Sequence, residues 1–260
     1  MAKLNTLKDD PIKHVVVYGP PKVGKTLLVG KLARVKKLIW FDLERGFSTL
    51  FQLPAEWQEN VEVIHIPDHR DYPMAIETML KAFKGAKVSI CEEHGKVGCP
   101  LCAKDPTKVQ VTVELNALDK DYVVVVDSGT QLKNSALSNI TKGKPIDYKL
   151  ERDDWGNLSK LMDTFYSYVQ AAPFNVVVIS HEDEVKMTEG NDKIVPVGGS
   201  SNFSRNMAKY FDEVVYGRVA NGKHTFLSST TAANKILTGS RAQVDLQKAG
   251  EPDLAAIWGM

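Results

Sequence analysis

The sequence predicts an α/β fold: a mostly parallel sheet flanked by helices, in a chain of 260 residues. Three observations carry that expectation. Apolar runs rich in valine and isoleucine recur at residues 14–18, 37–42, 122–128 and 175–180. Segments of helical periodicity separate them, the alternation of a sheet built from βαβ units. The run from Tyr122 through four valines to Asp127 shows no polar alternation, as suits a central parallel strand covered on both faces.

Taken in order, residues 1–13 are polar and lead into the first strand at 14–18. The first ten residues hold no apolar signal region, and no apolar run approaches membrane-spanning length. The expectation is a soluble, cytoplasmic protein with its three cysteines reduced. One domain is expected over 1–260, interrupted by an insertion at 86–112. A helix follows residue 25, and the strand at 37–42 ends in Asp42-Leu43-Glu44-Arg45-Gly46. Residues 61–66 alternate as a third strand. Asp71-Tyr72-Pro73 opens a helix with Ile76, Met79, Leu80 and Phe83 on one face, stopped by Gly85. Beyond the valine strand, 131–140 and 155–171 read as helices around a loop at 141–147. The strand at 175–180 precedes a polar excursion, 184–202, read as a loose hairpin with Gly198 to Asn202 at its tip. A short helix at 203–210 leads to strands at 213–219 and 224–228, joined by the turn signal Asn221-Gly222. After Thr231 the pattern is mixed.

Between the first strand and its helix lies Gly19-Pro20-Pro21-Lys22-Val23-Gly24-Lys25-Thr26, which fits the phosphate-loop pattern G-x-x-x-x-G-K-[ST]. The glycines let successive N–H groups face a phosphate, and the helix start adds its dipole. Lys25 can reach the β- and γ-phosphates of ATP, and the Thr26 hydroxyl can ligate Mg²⁺. In such sheets ligands sit at the carboxyl ends of the strands, which places Gly19, Glu44, Asp127 and His181 along one edge. Asp127, after four valines, has the position of a Walker-B acid for Mg²⁺; the alternative is a helix cap. Glu44 is the candidate for orienting the attacking water, Asp42 can exchange roles with it, and a solvated turn is the alternative for both.

Every cysteine falls in Cys91-x₂-His94-x₄-Cys99-x₂-Cys102. Three thiolates and an imidazole at this spacing form a closed tetrahedral set for structural Zn²⁺; the alternative is a loop of free thiols. Lysine and arginine total 33 against 32 acidic residues, a net charge of +1, so any nucleic-acid site must be local.

Four segments together resemble the RecA-type P-loop ATPase family. They are Phe41 to Gly46, Val123 to Ser128, Ile179-Ser180-His181, and Gly198 to Phe203 with Glu213 to Arg218. The similarity spans roughly residues 14–230 and is best to the core-only RecA-like phage ATPases that bind and anneal single strands. It implies a RecA-like P-loop NTPase core with Glu44 as catalytic base. His181 then stands where a γ-phosphate-sensing glutamine is usual, or serves a structural bond. It also implies single-stranded DNA on loops near 133–155 and 184–206 and DNA-stimulated hydrolysis of ATP to ADP and phosphate. The candidate contacts are Lys142, Lys144, Lys193, Phe203 and Arg205, though loop lysines are common and Phe203 can equally belong to the core. RecA-type sites lie between subunits, so a homo-oligomer is implied, with Lys235 or Arg241 completing the neighbour's site or remaining a solvated charge. A single-strand-binding protein is a further implied partner, in the bacterial host cytoplasm if the chain is phage-encoded. The competing readings are an oligomeric helicase-like or regulatory motor and a nucleotide-gated zinc adaptor with little turnover.

Overall fold

The computed structural model describes residues 11–85, 87–105, 107–186, 192–229, 235–246 and 251–260. In chain order the strands are β1 (His14–Tyr18), β2 (Lys37–Asp42), β3 (Val61–His65), β4 (Val88–Cys91), β5 (Gln110–Val113), β6 (Tyr122–Asp127) and β7 (Asn175–Ser180). They continue with β8 (Glu182–Val185), β9 (Lys193–Pro196), β10 (Glu213–Ala220), β11 (Lys223–Leu227) and β12 (Gly239–Ser240). The helices are α1 (Lys25–Gly30), α2 (Ala55–Gln58), α3 (Ala75–Phe83), α4 (Gly129–Ile140), α5 (Arg152–Gln170) and α6 (Ser201–Asn206).

The main sheet runs β11-β10-β1-β7-β6-β2-β3, with β12 beside the start of β10. Pairing is parallel from β10 to β3, and only β11 and β12 run antiparallel. The loops leaving β1, β2, β6 and β7 therefore emerge at one edge.

Side chains alternate across each strand, so a run of valines feeds two cores at once. Val16, Phe41, Val124, Val126 and Val178 face α3, α4 and α5 through Met79, Leu132, Met162 and Phe165. Val15, Val17, Trp40, Val125 and Val177 face Leu28, Val29 and Leu32, and the C-terminal turn of Leu254 and Ile257. Each such side chain, fully buried, contributes about 1.5–3 kcal/mol. This double burial is why the strands carry no polar alternation. No helix among the described residues is long and apolar enough to cross a membrane.

Helix starts follow capping chemistry. The Ser128 side chain accepts from the Gln131 N–H and begins α4. Glu151 and Asp154 form a capping box for α5, which starts three residues before the predicted 155. The helix expected to open at Asp71 starts instead at Ala75. Asp68 Oδ1 accepts from the Met74 and Ala75 N–H groups at 2.8 and 3.0 Å.

The excursion after β7 is a hairpin, β8 against β9, but its tip is not Gly198 to Asn202. The connection spans 186–192, of which 187–191 lie outside the described residues. Gly198 follows β9 and is buried; a Cβ there would meet Met207 Sδ at 2.3 Å. Close packing, not a turn, accounts for that glycine.

Candidate active site

The phosphate loop is pressed against β10. Gly19 has φ 146°, and a Cβ at this position would lie 2.3 Å from the Gly217 carbonyl oxygen. Lys22 and Gly24 also take positive φ, 64° and 85°, and turn the chain into α1. Lys25 is buried and donates to the carbonyls of Gly19 at 2.9 Å and Pro20 at 2.7 Å. Burial lowers its pKa to about 8, against the opposing pull of Asp127, Glu44 and Glu182. Thr26 Oγ1 donates to Asp127 Oδ2 at 3.1 Å, so the loop hydroxyl and the strand-end acid share one point. Pro21, Lys22, Gly24, Lys25 and Thr26 line the same cleft as Glu44, Asp127 and His181.

The β2–β6 register sets Asp42 opposite Asp127. Asp42 is fully buried and committed: Oδ1 accepts from Gly46 N–H at 2.8 Å, and Oδ2 meets His65 Nδ1 at 2.9 Å. It builds the turn that carries Glu44, so the expected interchange of the two acids is corrected here. Glu44 is exposed to the cleft and reaches across to β6. Ser128 Oγ donates to its Oε1, and His181 Nε2 lies 3.8 Å from its Oε2. Burial opposes ionisation of Glu44, but bonds from His181 and Ser128 and the charges of His181 and Lys25 hold its pKa below the ordinary carboxylate value. Asp127 moves the other way. Burial, then the charge of Glu44, pushes it up to about 7 despite the Thr26 bond, while Asp42 adds to the rise and Lys25 opposes it. The two acids thus shift in opposite directions: their surroundings favour the charged form of Glu44 and disfavour that of Asp127.

The family of this chain follows from a match over nearly all of this region: the family described as AAA domain matches residues 12–242. The chain belongs to the AAA domain family. The match bears out a P-loop ATPase domain that binds and hydrolyses nucleotide. No curated protein matches this AAA domain.

His181 follows β7 in this AAA domain, and its N–H donates to Thr130 Oγ1 at 2.9 Å. Its Nδ1 is buried without a hydrogen-bond partner among the described residues. Sequence reasoning missed Ser128 as the partner of Glu44. It also missed His224 on β11, whose Nδ1 lies 3.1 Å from the Val23 carbonyl and whose ring lines the phosphate-loop cleft. No local signal marks His224, because its partner is 201 residues away in the chain.

The insertion of the AAA domain forms β4 and β5, paired antiparallel, with the cysteine knuckle at one end. The ligand atoms of Cys91, His94, Cys99 and Cys102 lie within 4.8 Å of one another. His94 Nδ1 faces the thiols, 3.2 Å from Cys102 Sγ and 3.8 Å from Cys99 Sγ. Three sulfurs and one imidazole nitrogen gathered at this size fit a tetrahedral zinc site.

Lys142 and Lys144 are exposed on the loop after α4, and Lys193 is exposed at the start of β9. Lys144 Nζ lies 4.9 Å from the Tyr148 ring centroid. Phe203 is turned inward, stacked on Tyr166 and Tyr210 at 5.8 and 6.0 Å, so the core alternative describes it and base stacking does not. Arg205 is half-buried, with Nε lacking a partner among the described residues. Arg241 pairs with Asp212 at 2.8 Å beside His14, at the amino ends of β1 and β10, away from the phosphate loop. Lys235 is exposed, and its carbonyl accepts from Ile194 of β9 at 2.8 Å.

Proposed function

We propose that this AAA domain is a RecA-like ATPase that binds single-stranded DNA and acts in phage-type recombination or strand annealing. One observation carries the reading. The candidate base comes from the strand beside the Walker-B strand: Glu44 leaves β2 and is fastened to Ser128, directly after Asp127. The residue following Asp127 is a serine, so the RecA-type division fits these residues. Glu44 takes a proton from the attacking water and His181, next to it, reports the γ-phosphate. Gly19 to Thr26 cradle the phosphates, and Thr26 with Asp127 holds Mg²⁺, which supplies the charge that orients the phosphates.

Exposed Lys142, Lys144 and Lys193 follow the Walker-B and sensor strands and support phosphate contacts to a single strand, with Arg205 on α6 as a further candidate. Lys235, exposed next to the β8–β9 hairpin, is the better placed cation for a neighbour's site in a homo-oligomer. Zn²⁺ is held by Cys91, His94, Cys99 and Cys102. The setting is the cytoplasm, of a bacterial host if phage-encoded, and a single-strand-binding protein is a natural partner.

The test is ATP turnover with and without single-stranded DNA, alongside DNA binding at low and moderate salt. Expected are ATP-dependent binding that weakens steeply with salt and turnover that rises with DNA. ATP hydrolysis with neither DNA stimulation nor DNA affinity would refute the DNA-binding part. Duplex unwinding would favour the helicase-like motor instead.

A further inference from the structure

The cysteine knuckle and the Glu44 loop are two walls of one cleft, with Glu44 and Arg45 on one side and Glu93 and His94 on the other. The knuckle has little interior of its own beyond its three cysteines. Its two strands of four residues each are docked on the main core through Val88, Ile90 and Val113, and the turn from Cys91 to Cys102 projects beyond them. A metal at this point would tie together the turn that carries the four ligands.

The knuckle is wedged against the core immediately after its histidine ligand. Gly95 has φ 59°, and a Cβ there would stand 2.8 Å from both Ile66 Cα and Pro67 Cδ. Its carbonyl accepts from Thr78 Oγ1 at 2.8 Å, and its N–H donates to the carbonyl of ligand Cys91 at 2.9 Å. From this corner two chains of contacts reach Glu44. Ile66 N–H donates to the Asp42 carbonyl at 3.0 Å, and His65 holds the Asp42 carboxylate that forms the turn. Asp68 accepts from Gln131 and Ser135 of α4, both at 3.0 Å, and that helix begins at Ser128, the donor to Glu44.

We infer that the metal-bound knuckle is a brace for catalysis: zinc on Cys91, His94, Cys99 and Cys102 fixes residues 65–68, and these aim Glu44. The inference rests on the reading of Glu44 as catalytic base. Losing the metal slows hydrolysis and leaves nucleotide affinity intact, because the phosphate loop leaves β1, on the far side of β7 and β6 from this corner.

The experiment begins with metal analysis of protein purified under reducing, chelator-free conditions. About one zinc per chain is expected, and absence of metal overturns the proposal. Zinc is then removed with a thiol-reactive mercurial and a chelator, followed by reduction. The maximal ATPase rate and the affinity for a fluorescent ATP analogue are measured for both forms. Expected are a fall in rate of about fivefold or more, affinity within about twofold, and recovery of rate on returning zinc. A rate that does not change, or loss of nucleotide binding along with rate, overturns the brace. Thr78→Val removes the contact to Gly95 without touching a ligand. It should lower the rate at full zinc content, and an unchanged rate counts against this route. Glu44→Gln separates the two claims: if it hydrolyses ATP normally, the base assignment fails, whatever zinc removal does.

Discussion

Asp127→Asn should make the protein more stable as pH rises, at the cost of its chemistry. The Asp127 carboxyl is buried beside Glu44 and Asp42, and its pKa rises from 3.8 to about 7 in the folded chain. The folded state thus holds this proton more tightly than the unfolded state does. Its stabilising contribution is complete below pH 3.8 and is lost as pH climbs through about 7. At about 1.4 kcal/mol for each tenfold change in proton affinity, the loss totals about 4 kcal/mol. About 3 kcal/mol of it falls between pH 5 and 8. An asparagine keeps an acceptor for the Thr26 hydroxyl and cannot ionise, so the variant escapes the loss. For a chain of this size about 2 °C accompanies each kcal/mol, so the variant should gain roughly 6 °C in Tm relative to wild type over that range. The assay is calorimetric melting of both proteins at several pH values, without nucleotide or divalent cation. Titrating groups remote from Asp127 cancel in the difference between the two. A difference that stays constant from pH 5 to 8 would refute the reasoning.

Glu44→Gln should bind ATP like wild type and lose about 10²–10⁴-fold in turnover, because shape survives and basicity does not; single-turnover kinetics with a separate affinity measurement checks this. Replacing Lys142 and Lys144 together with alanine should flatten the salt dependence of single-strand binding by about one to two in the log–log slope. An unchanged slope places the DNA elsewhere. Lys235→Ala should bind nucleotide without hydrolysing it, and mixing it with Lys25→Ala protein should restore part of the activity. No recovery in oligomers shown to be mixed would argue against a cation supplied by a neighbour.

The strands of this protein were readable because burial on both faces leaves an unbroken apolar run. Tyr122–Asp127 and Asn175–Ser180 match their predicted positions to within one residue for that reason. The phosphate loop was readable because its chemistry is local. What escaped is what depends on register or on distant partners. Asp42 and Glu44 looked interchangeable two residues apart, but Asp42 ends a ladder and is sealed beneath Gly46, while Glu44 lies past it. The glycines at 198 and 199 resemble a turn, yet Gly198 is there to admit Met207. Asp71 looked like a helix start, and Asp68 caps the helix by folding back over six residues. His224 had no sequence signal at all.

The meeting of Gly19 with Gly217 has a genetic consequence. A side chain at 19 collides with main-chain atoms of β10, which no exchange of residue type can trim away. A side chain at 217 collides mainly with the Phe226 ring and Val23. The two glycines therefore fare differently under selection. Gly217→Ala should yield second-site revertants at Phe226, where a smaller residue reopens the space. Gly19→Ala should yield only true revertants, so position 19 is one that drift cannot reach by any two-step path.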